Sequence, residues 1–345
     1  MHSICGDISA YRVYVWTVLQ PPRSVLQARR VLCDWTQRRL ATAIGVTQSA
    51  ISQFERGEGI NNPDLAAAIA AELDTPAALL GVQPPVPRIL HLLPPSLPQK
   101  PANRALASVT LAHARVALLL GTQTVVLRRS PGGASWGHPH GYAESVRKDW
   151  QLPPGPISGL VPTLENNGIV CVYRDLGDLR THALASTSAD GAVLMLLDSG
   201  ASRRELGWAI THELGHLVFG DEPSKAGESD ANEFAIEFLA PGRELLDVSI
   251  STSEDLAAAA TKYGVPPRLL LRRLRQIRRV SARGERELAS AVGGIALAEL
   301  GRDFLGSPSR LADTVRTMGG SPAAAQHASV SSEELRRDYL AGSGQ

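Results

Sequence analysis

Cysteine is scarce in this chain. Only three cysteines occur in 345 residues, Cys5, Cys33 and Cys171, and they lie far apart. This usage excludes a disulfide framework and a zinc site built from cysteines, and it is typical of proteins in a reducing compartment. We therefore expect a cytoplasmic protein.

Long apolar runs and a strong net charge are also missing. No stretch reaches the ~18 consecutive apolar residues of a membrane span, and the N-terminus lacks the basic-then-apolar pattern of a signal peptide. We predict no membrane partner. Lys and Arg total 35 against 34 Asp and Glu, a net charge of +1, so any DNA binding must be local. The length predicts two or more domains.

The strongest chemical pattern is His212-Glu213-Leu214-Gly215-His216. Two histidines four residues apart share one face of a helix, so both can bind one metal ion. Imidazole ligands and an open position for water suit Zn²⁺, which is the predicted cofactor. Glu213 lies beside them and is the predicted catalytic general base.

A third protein ligand is required, and two carboxylates are candidates. Metzincins place a Gly and then a His after the second motif histidine, but Phe219 and Glu222 stand there. Glu222 stays as an alternative ligand. Glu228 is preferred, because it opens a predicted helix to Pro241 whose same face is otherwise small or apolar: Ala231, Asn232, Ala235 and Leu239. A carboxylate on such a face needs a partner, and a metal is one.

Such a short motif also arises by chance in unrelated helices. It would then represent a buried histidine and some surface charge, and the body of the chain would be a metal-free remnant. The convergence of Glu228 with both histidines is what separates the two interpretations.

A second informative block runs from Ser24 to Leu80, where capping residues and glycines mark five short helices. The tight turn at Gly45-Val46-Thr47 between the second and third helices predicts helix-turn-helix geometry. Gln and Ser read base edges in the major groove, and helix N-termini bind phosphates. The predicted DNA-binding residues are Gln37, Arg38, Thr47, Gln48, Ser49 and Ser52.

This block resembles the Cro/repressor-type (Xre) helix-turn-helix. The resemblance is carried by Trp35-Thr-Gln-Arg-Arg-Leu-Ala, by Gly45-Val-Thr-Gln-Ser-Ala-Ile-Ser-Gln-Phe-Glu-Arg-Gly57 and by the helices from Pro63 to Leu80. It implies a double-stranded DNA operator and a homodimer on two half-sites. The alternative is a helical bundle that kept the fold and lost DNA binding.

The metal block, in turn, is similar to the ImmA/IrrE family of zinc metallopeptidases. The matching residues are His-Glu-Leu-Gly-His (212–216) and Glu-x-Asp-Ala-Asn-x-Phe-Ala-x-x-Phe-Leu-x-Pro (228–241), and the resemblance extends over about Leu106 to Ile277. It implies His212, His216 and Glu228 as zinc ligands and Glu213 as the catalytic residue. The run Arg203-Arg204-Glu205-Leu206-Gly207-Trp208 departs from the family pattern, which puts substrate-facing details in doubt.

The predicted fold is α+β and mainly helical. We expect an N-terminal lead (1–21), a five-helix DNA-binding domain (22–81), a Pro-rich linker (82–101), a zincin-like metallopeptidase domain with a small sheet (102–250), a helix-turn-helix-like helical subdomain (251–280) and a C-terminal helical or mobile tail (281–345). The arginines of 251–280 either touch DNA or acidic protein, or form a solvated face packed on the peptidase.

Apolar runs at 168–174 and 192–197 predict buried strands. His182, between them, is either a transition-state stabiliser in the cleft or an exposed hairpin residue.

The predicted function is a DNA-binding regulator that carries a zinc endopeptidase. The resemblance implies a regulatory protein substrate, a repressor or the chain itself, cleaved in a stress or phage-related response. The alternative is a transcription factor whose zinc domain is a sensor or a structural module.

Overall fold

The computed structural model describes twelve stretches of the chain. They are residues 21–58, 62–82, 84, 87–89, 98–120, 138–176, 179, 181–188, 191–220, 224–291, 300–307 and 310–318. Within them the chain is mainly helical with a small four-stranded sheet, so the predicted fold class is confirmed. The N-terminal lead and Glu222 lie outside the described residues. None of the described helices is long and apolar enough to cross a membrane.

The head consists of five helices: α1 (Val25–Leu32), α2 (Gln37–Ala43), α3 (Gln48–Glu55), α4 (Pro63–Glu72) and α5 (Ala77–Leu80). The first four begin at Ser24, Thr36, Thr47 and Asn62, whose side chains each accept a hydrogen bond from the backbone N–H three residues ahead. These caps satisfy N–H groups that the helix itself cannot pair. Gly45 has φ +71°, a conformation that lets the chain turn sharply between α2 and α3.

The sheet has four strands: β1 (Arg88–Ile89), β2 (Ile169–Arg174), β3 (Ala183–Thr187) and β4 (Val193–Asp198). Their spatial order is β1-β3-β4-β2. β2 runs parallel to β4, while β3 is antiparallel to both β4 and β1. β2 and β4 confirm the two predicted strands. β1 lies within the segment predicted as a Pro-rich linker (82–101), so part of that segment belongs to the sheet.

Eleven further helices complete the described chain. They are α6 (Gln99–Leu120), α7 (Pro139–Asp149), α8 (Leu160–Asn166), α9 (Arg203–Phe219), α10 (Lys225–Leu239), α11 (Gly242–Leu245), α12 (Ser253–Tyr263), α13 (Pro267–Gln276), α14 (Ala282–Ala291), α15 (Arg302–Leu305) and α16 (Arg310–Thr317).

Helices cover both faces of the sheet. Side chains alternate between the faces, so Cys171, Ala185 and Met195 lie in the core that contains α9 and α10. Val170, Leu184 and Leu194 lie in the opposite core, which contains α6 and α16. This double burial explains why β2 and β4 are continuous apolar runs in the sequence.

Helix α6 contacts both the head and the sheet. Its Leu111 and Ala114 are part of the core of the head, while Val109, Ala112 and Val116 pack in the core beneath the sheet. Because each side of α6 buries apolar surface on a different unit, the helix fixes the two units against each other.

The region after α11 is more closely packed than the sequence predicts. Two of the arginines in α13 form ion pairs with α10, Arg272 with Glu233 and Arg273 with Glu237. The ring of Phe304 packs against Gly207 and Gly264. A side chain at either glycine position would overlap this ring. Leu311 is fully buried beneath the sheet. Residues 300–307 and 310–318 therefore pack on the folded body, and the described part of the predicted helical or mobile tail (281–345) is largely helical.

A buried arginine ties α7 to α10. The Arg147 guanidinium donates to the backbone carbonyls of Phe238 (2.6 Å), Pro153 (2.6 Å) and Gly155 (2.9 Å). Each bond from a charged donor stabilises more than a neutral one, and loss of the donor leaves buried carbonyls unpaired.

We predict that Arg147→Leu lowers the free energy of unfolding by about 3 kcal/mol, because the buried carbonyl bonds to Phe238 and Gly155 and the partly buried one to Pro153 lose their donor. Lys148→Leu, at an exposed position of the same helix, should change it by less than about 0.5 kcal/mol. Urea denaturation followed by tryptophan fluorescence measures both. Equal losses in the two variants would contradict the role given to Arg147.

Candidate metal centre and nucleic-acid interface

The two motif histidines lie on a helix with well-defined ends. α9 begins at Ser202, whose hydroxyl accepts from the Glu205 N–H while the Glu205 carboxylate accepts from the Ser202 N–H. It ends at Gly220, which has φ +64°. The turns between carry His212, Glu213 and His216 with little solvent exposure. The local sequence therefore fixes where the motif lies in the fold.

The second helix of the site comes unusually close to the first. A Cβ on Gly215 would lie 3.0 Å from the Cα of Ala231 on α10. Small residues on both helices thus let their backbones approach at the level of the motif. α10 begins at Lys225, earlier than the predicted start, so Glu228 lies within the first turn rather than at its start.

This approach brings three potential ligands together. His212 Nε2 lies 3.1 Å from His216 Nε2 and 3.1 Å from Glu228 Oε2, and His216 Nε2 lies 3.4 Å from Glu228 Oε1. Ligands about 2.0–2.2 Å from a tetrahedral zinc ion are separated by about 3.3 Å from one another. The two imidazole nitrogens and the carboxylate of Glu228 therefore have the spacing of one face of a zinc tetrahedron.

An asparagine fixes the orientation of His212. Asn232 Nδ2 donates to the Glu228 carbonyl (2.8 Å), which turns its Oδ1 toward His212 Nδ1 at 3.2 Å. An oxygen at that position accepts a hydrogen bond from Nδ1–H and so favours the tautomer of His212 with its proton on Nδ1. The lone pair of Nε2 then points toward His216 and Glu228. Asn232 was not predicted as a site residue, although it lies four residues after Glu228 on the same helix face.

Glu213 is held by the edge of the sheet. Its Oε2 accepts a hydrogen bond from the backbone N–H of Ala185 at 2.8 Å, and its side chain is almost fully buried. This contact comes from β3, which the sequence pattern did not predict as a strand.

The edge of β3 that faces away from β4 meets this carboxylate. At one end of the β3–β4 ladder the Asp198 N–H donates to the His182 carbonyl, and at the other end the Ser188 N–H donates to the Ala192 carbonyl. The even-numbered residues of β3 therefore direct their backbone hydrogen bonds to β4. Backbone groups alternate in direction along a strand. Ala183, Ala185 and Thr187 therefore turn theirs to the opposite edge, where Glu213 meets Ala185.

His182 does not join the three ligands. Its Nδ1 lies 3.4 Å from Asp198 Oδ2 and its Nε2 lies 3.7 Å from Glu205 Oε1. Glu205 precedes His212 by two helical turns, roughly 10 Å along α9. This placement does not support the predicted role of His182 as a transition-state stabiliser.

Cysteines are absent from the group. Cys171 is buried under the sheet, and burial raises the pKa of its thiol. Within the part of the chain that the structure describes, His212, His216 and Glu228 form the one cluster of three histidine, cysteine or carboxylate side chains able to hold a metal ion.

The head presents a polar surface at the start of α3. Arg38, Thr47, Gln48 and Ser49 are exposed, whereas Ser52 is half-buried. The Thr47 hydroxyl caps α3 by accepting from the Ala50 N–H, and the Ser52 hydroxyl accepts from Arg56. Gln48 and Ser49 are therefore exposed side chains in the first turn of α3.

A chain of hydrogen bonds supports this surface from below. Arg30 forms a two-bond ion pair with the buried Glu55 carboxylate, at 2.6 and 3.1 Å. Gln37 donates to the same carboxylate (2.7 Å) and accepts from Gln48 (3.3 Å). Gln37 and Gln48 are thus oriented by a buried charge pair, and Gln37 is half-buried rather than fully exposed. The sequence did not indicate the part played by Arg30 and Glu55.

Comparison with known families gives two matches. Residues 26–80 match the family described as helix-turn-helix, and residues 164–275 match the family described as IrrE N-terminal-like domain. A comparison with curated proteins found no match. Both matches fall on the segments that carry the two resemblances, and they confirm the predicted arrangement of the chain.

We predict that Asn232→Ala lowers zinc affinity by about 10- to 100-fold, because His212 loses the acceptor that fixes its tautomer. Asn232→Asp keeps an oxygen beside Nδ1 and should bind zinc at least as tightly as the unmodified chain does. Competition with a chromophoric chelator measures both affinities. If Asn232→Ala binds as tightly as Asn232→Asp does, Asn232 does not orient the ligand.

Proposed function

Because this chain joins an Xre-type helix-turn-helix to an IrrE/ImmA-like domain of the peptidase class, we propose that it is a DNA-binding regulator with a zinc-dependent endopeptidase activity. One observation carries the proposal: His212, His216 and Glu228 converge at ligand spacing beside a buried Glu213.

Zinc fits the donor set, and His212, His216 and Glu228 are the residues proposed to hold it. Two imidazoles and one carboxylate are a known catalytic ligand set that leaves one position open. Bound there, zinc supplies Lewis acidity toward a peptide carbonyl and lowers the pKa of a water molecule to about 7.

Glu213 is proposed as the general base. It takes a proton from the attacking water and passes it to the nitrogen of the departing amine, so no net proton is consumed at the carboxylate. The Ala185 N–H, bonded to Oε2 at 2.8 Å, keeps the carboxylate in place during this transfer. A buried, anchored base requires little reorganisation when the substrate binds.

The peptide is proposed to bind as an added strand on the edge of β3 that faces away from β4. Ala183, Ala185 and Thr187 turn their backbone groups to this edge, and since the Ala185 N–H is held by Glu213, the peptide is proposed to pair with the other groups. Strand addition recognises the backbone of any extended segment, and side-chain pockets then give selectivity. An unfolded or extended segment of a regulatory protein, such as a repressor in a stress or phage-related response, is the proposed substrate.

The head is proposed to bind double-stranded DNA through α3. Gln48 and Ser49 would read base edges, while Arg38 and the N-terminus of α2 contact phosphates. A single head covers one half-site, so the proposed operator complex contains a homodimer. Binding to an operator places the proposed activity in the cytoplasm.

We predict that Glu213→Gln stops hydrolysis but keeps the metal. The three ligands are unchanged and the amide oxygen of Gln can still accept from Ala185, while loss of the base lowers the rate by about 100- to 10,000-fold. Proteome-wide comparison of new protein N-termini, in cells carrying either form, identifies the cleaved protein.

The control is Glu144→Gln, at an exposed glutamate on α7, which should leave cleavage unchanged. Identical N-termini in wild-type and Glu213→Gln cells, with zinc present in both proteins, would exclude the peptidase. The domain would then be a metal-binding sensor or structural module of a transcription factor.

We predict different effects from two substitutions in the head. On duplexes enriched from a random pool, Gln48→Ala should reduce discrimination between bases at one position by about 1–3 kcal/mol. Arg38→Ala should weaken specific and non-specific binding alike and lower the salt slope by about 1. Arg268→Ala, an exposed arginine on α13, is the control and should change neither. Unchanged binding in both head variants would refute the proposed interface.

A further inference from the structure

A segment of this chain already lies on the edge of β3 that faces Glu213. In β1, Arg88 pairs with Thr187 and Ile89 pairs with Ser186. Thr187 turns its backbone groups to the same edge as Ala185, whose N–H holds Glu213. Two residues along a strand span about 6.7 Å, so β1 is bound directly beside the base.

The direction of β1 is also that of an added strand. β1 runs antiparallel to β3. Arg88 lies opposite Thr187 and Ile89 lies opposite Ser186, so β1 runs toward Ala185. A peptide lying antiparallel along this edge would need the backbone groups of Thr187 that Arg88 now occupies. The segment and the peptide therefore require the same hydrogen-bonding positions.

We propose that the segment Pro87–Ile89 is an intramolecular competitor of the peptide substrate, so that the peptidase site is fully accessible only when β1 leaves β3. The inference rests on the proposed function, because it assigns an occupant to the same peptide-binding edge. It adds a regulatory contact that lies within the chain.

The contact is small enough to be displaced. Within the described residues, Arg88 and Ile89 are the two that pair with β3, and Arg88 is exposed. Pro87 and Ile89 are buried, with Ile89 in the core shared by the sheet and α6. Two buried side chains and a two-residue ladder hold the segment in place, which is a small contact for a strand.

The segment lies between the DNA-binding head and α6. Upstream, Val82 packs against the core of the head. Downstream, α6 begins at Gln99 and packs on both the head and the sheet. β1 therefore belongs to the stretch of chain that connects the head to α6.

The test uses the zinc-loaded full-length chain and a peptide hydroxamate, which binds zinc and extends along the strand edge without being cleaved. Arg88→Pro removes the N–H that pairs with Thr187. Arg88→Ala keeps it and is the matched control. We expect the hydroxamate to bind about fivefold more tightly to Arg88→Pro and with unchanged affinity to Arg88→Ala.

Hydrogen exchange of the unmodified chain provides a second measurement that does not depend on a variant. Saturating hydroxamate should speed exchange of the Arg88 amide, which pairs with Thr187, as β1 is displaced. Equal affinities in all three proteins, no binding to any of them, or unchanged exchange at Arg88 would each overturn the proposal.

Self-cleavage would also overturn it. If the zinc-loaded chain cuts itself between the head and α6, seen as two fragments by intact mass, the segment is a substrate and not a competitor. None of these measurements requires turnover on another protein. If the Glu213→Gln comparison reveals no cleaved protein, the hydroxamate and exchange results still decide whether β1 blocks the edge.

Discussion

The close approach of α9 and α10 at Gly215 and Ala231 is the constraint on which the site depends. Because Gly215 has no side chain and Ala231 has only a methyl group, the helices come close together. The Glu228 carboxylate then lies 3.1 and 3.4 Å from the two imidazoles. Asn232, one helical turn after Glu228, then favours the tautomer of His212 that carries its proton on Nδ1. The ligand set therefore arises from helix packing, since neither helix contains all three ligands.

The sheet makes a different contribution. It supplies β3, whose backbone holds Glu213 and whose outer edge is partly covered by the two residues of β1. Apolar cores on both sides of the sheet hold that strand in place. A base anchored to the strand that is proposed to bind the peptide links substrate binding and proton transfer in one element.

The sequence predicts the features that are local. Helical spacing within residues 212–216 and the apolar face around Glu228 are short-range patterns, and the caps at Ser24, Thr36 and Thr47 mark the head helices directly. The features that it missed depend on pairing between distant segments. β1 is too short to show alternation, and β3 carries small residues that give little strand signal. The position of His182 depends on where β3 joins β4, so its separation from the metal ligands required the fold.

The head and the peptidase-like domain are packed together rather than loosely tethered. α6 buries side chains in both cores, and the Pro-rich connection contributes a strand to the sheet. Such contacts allow the state of one domain to affect the other through ordinary packing, without a ligand shared between them.

Zinc X-ray absorption of the purified chain, compared with Glu228→Gln, tests directly whether the three side chains bind one zinc ion. We expect stoichiometric zinc with two imidazoles and one carboxylate within about 2.0–2.2 Å, and loss of the carboxylate contribution together with weaker binding in the variant. Stoichiometric zinc with an unchanged spectrum in Glu228→Gln, or no zinc in the unmodified chain, would contradict it.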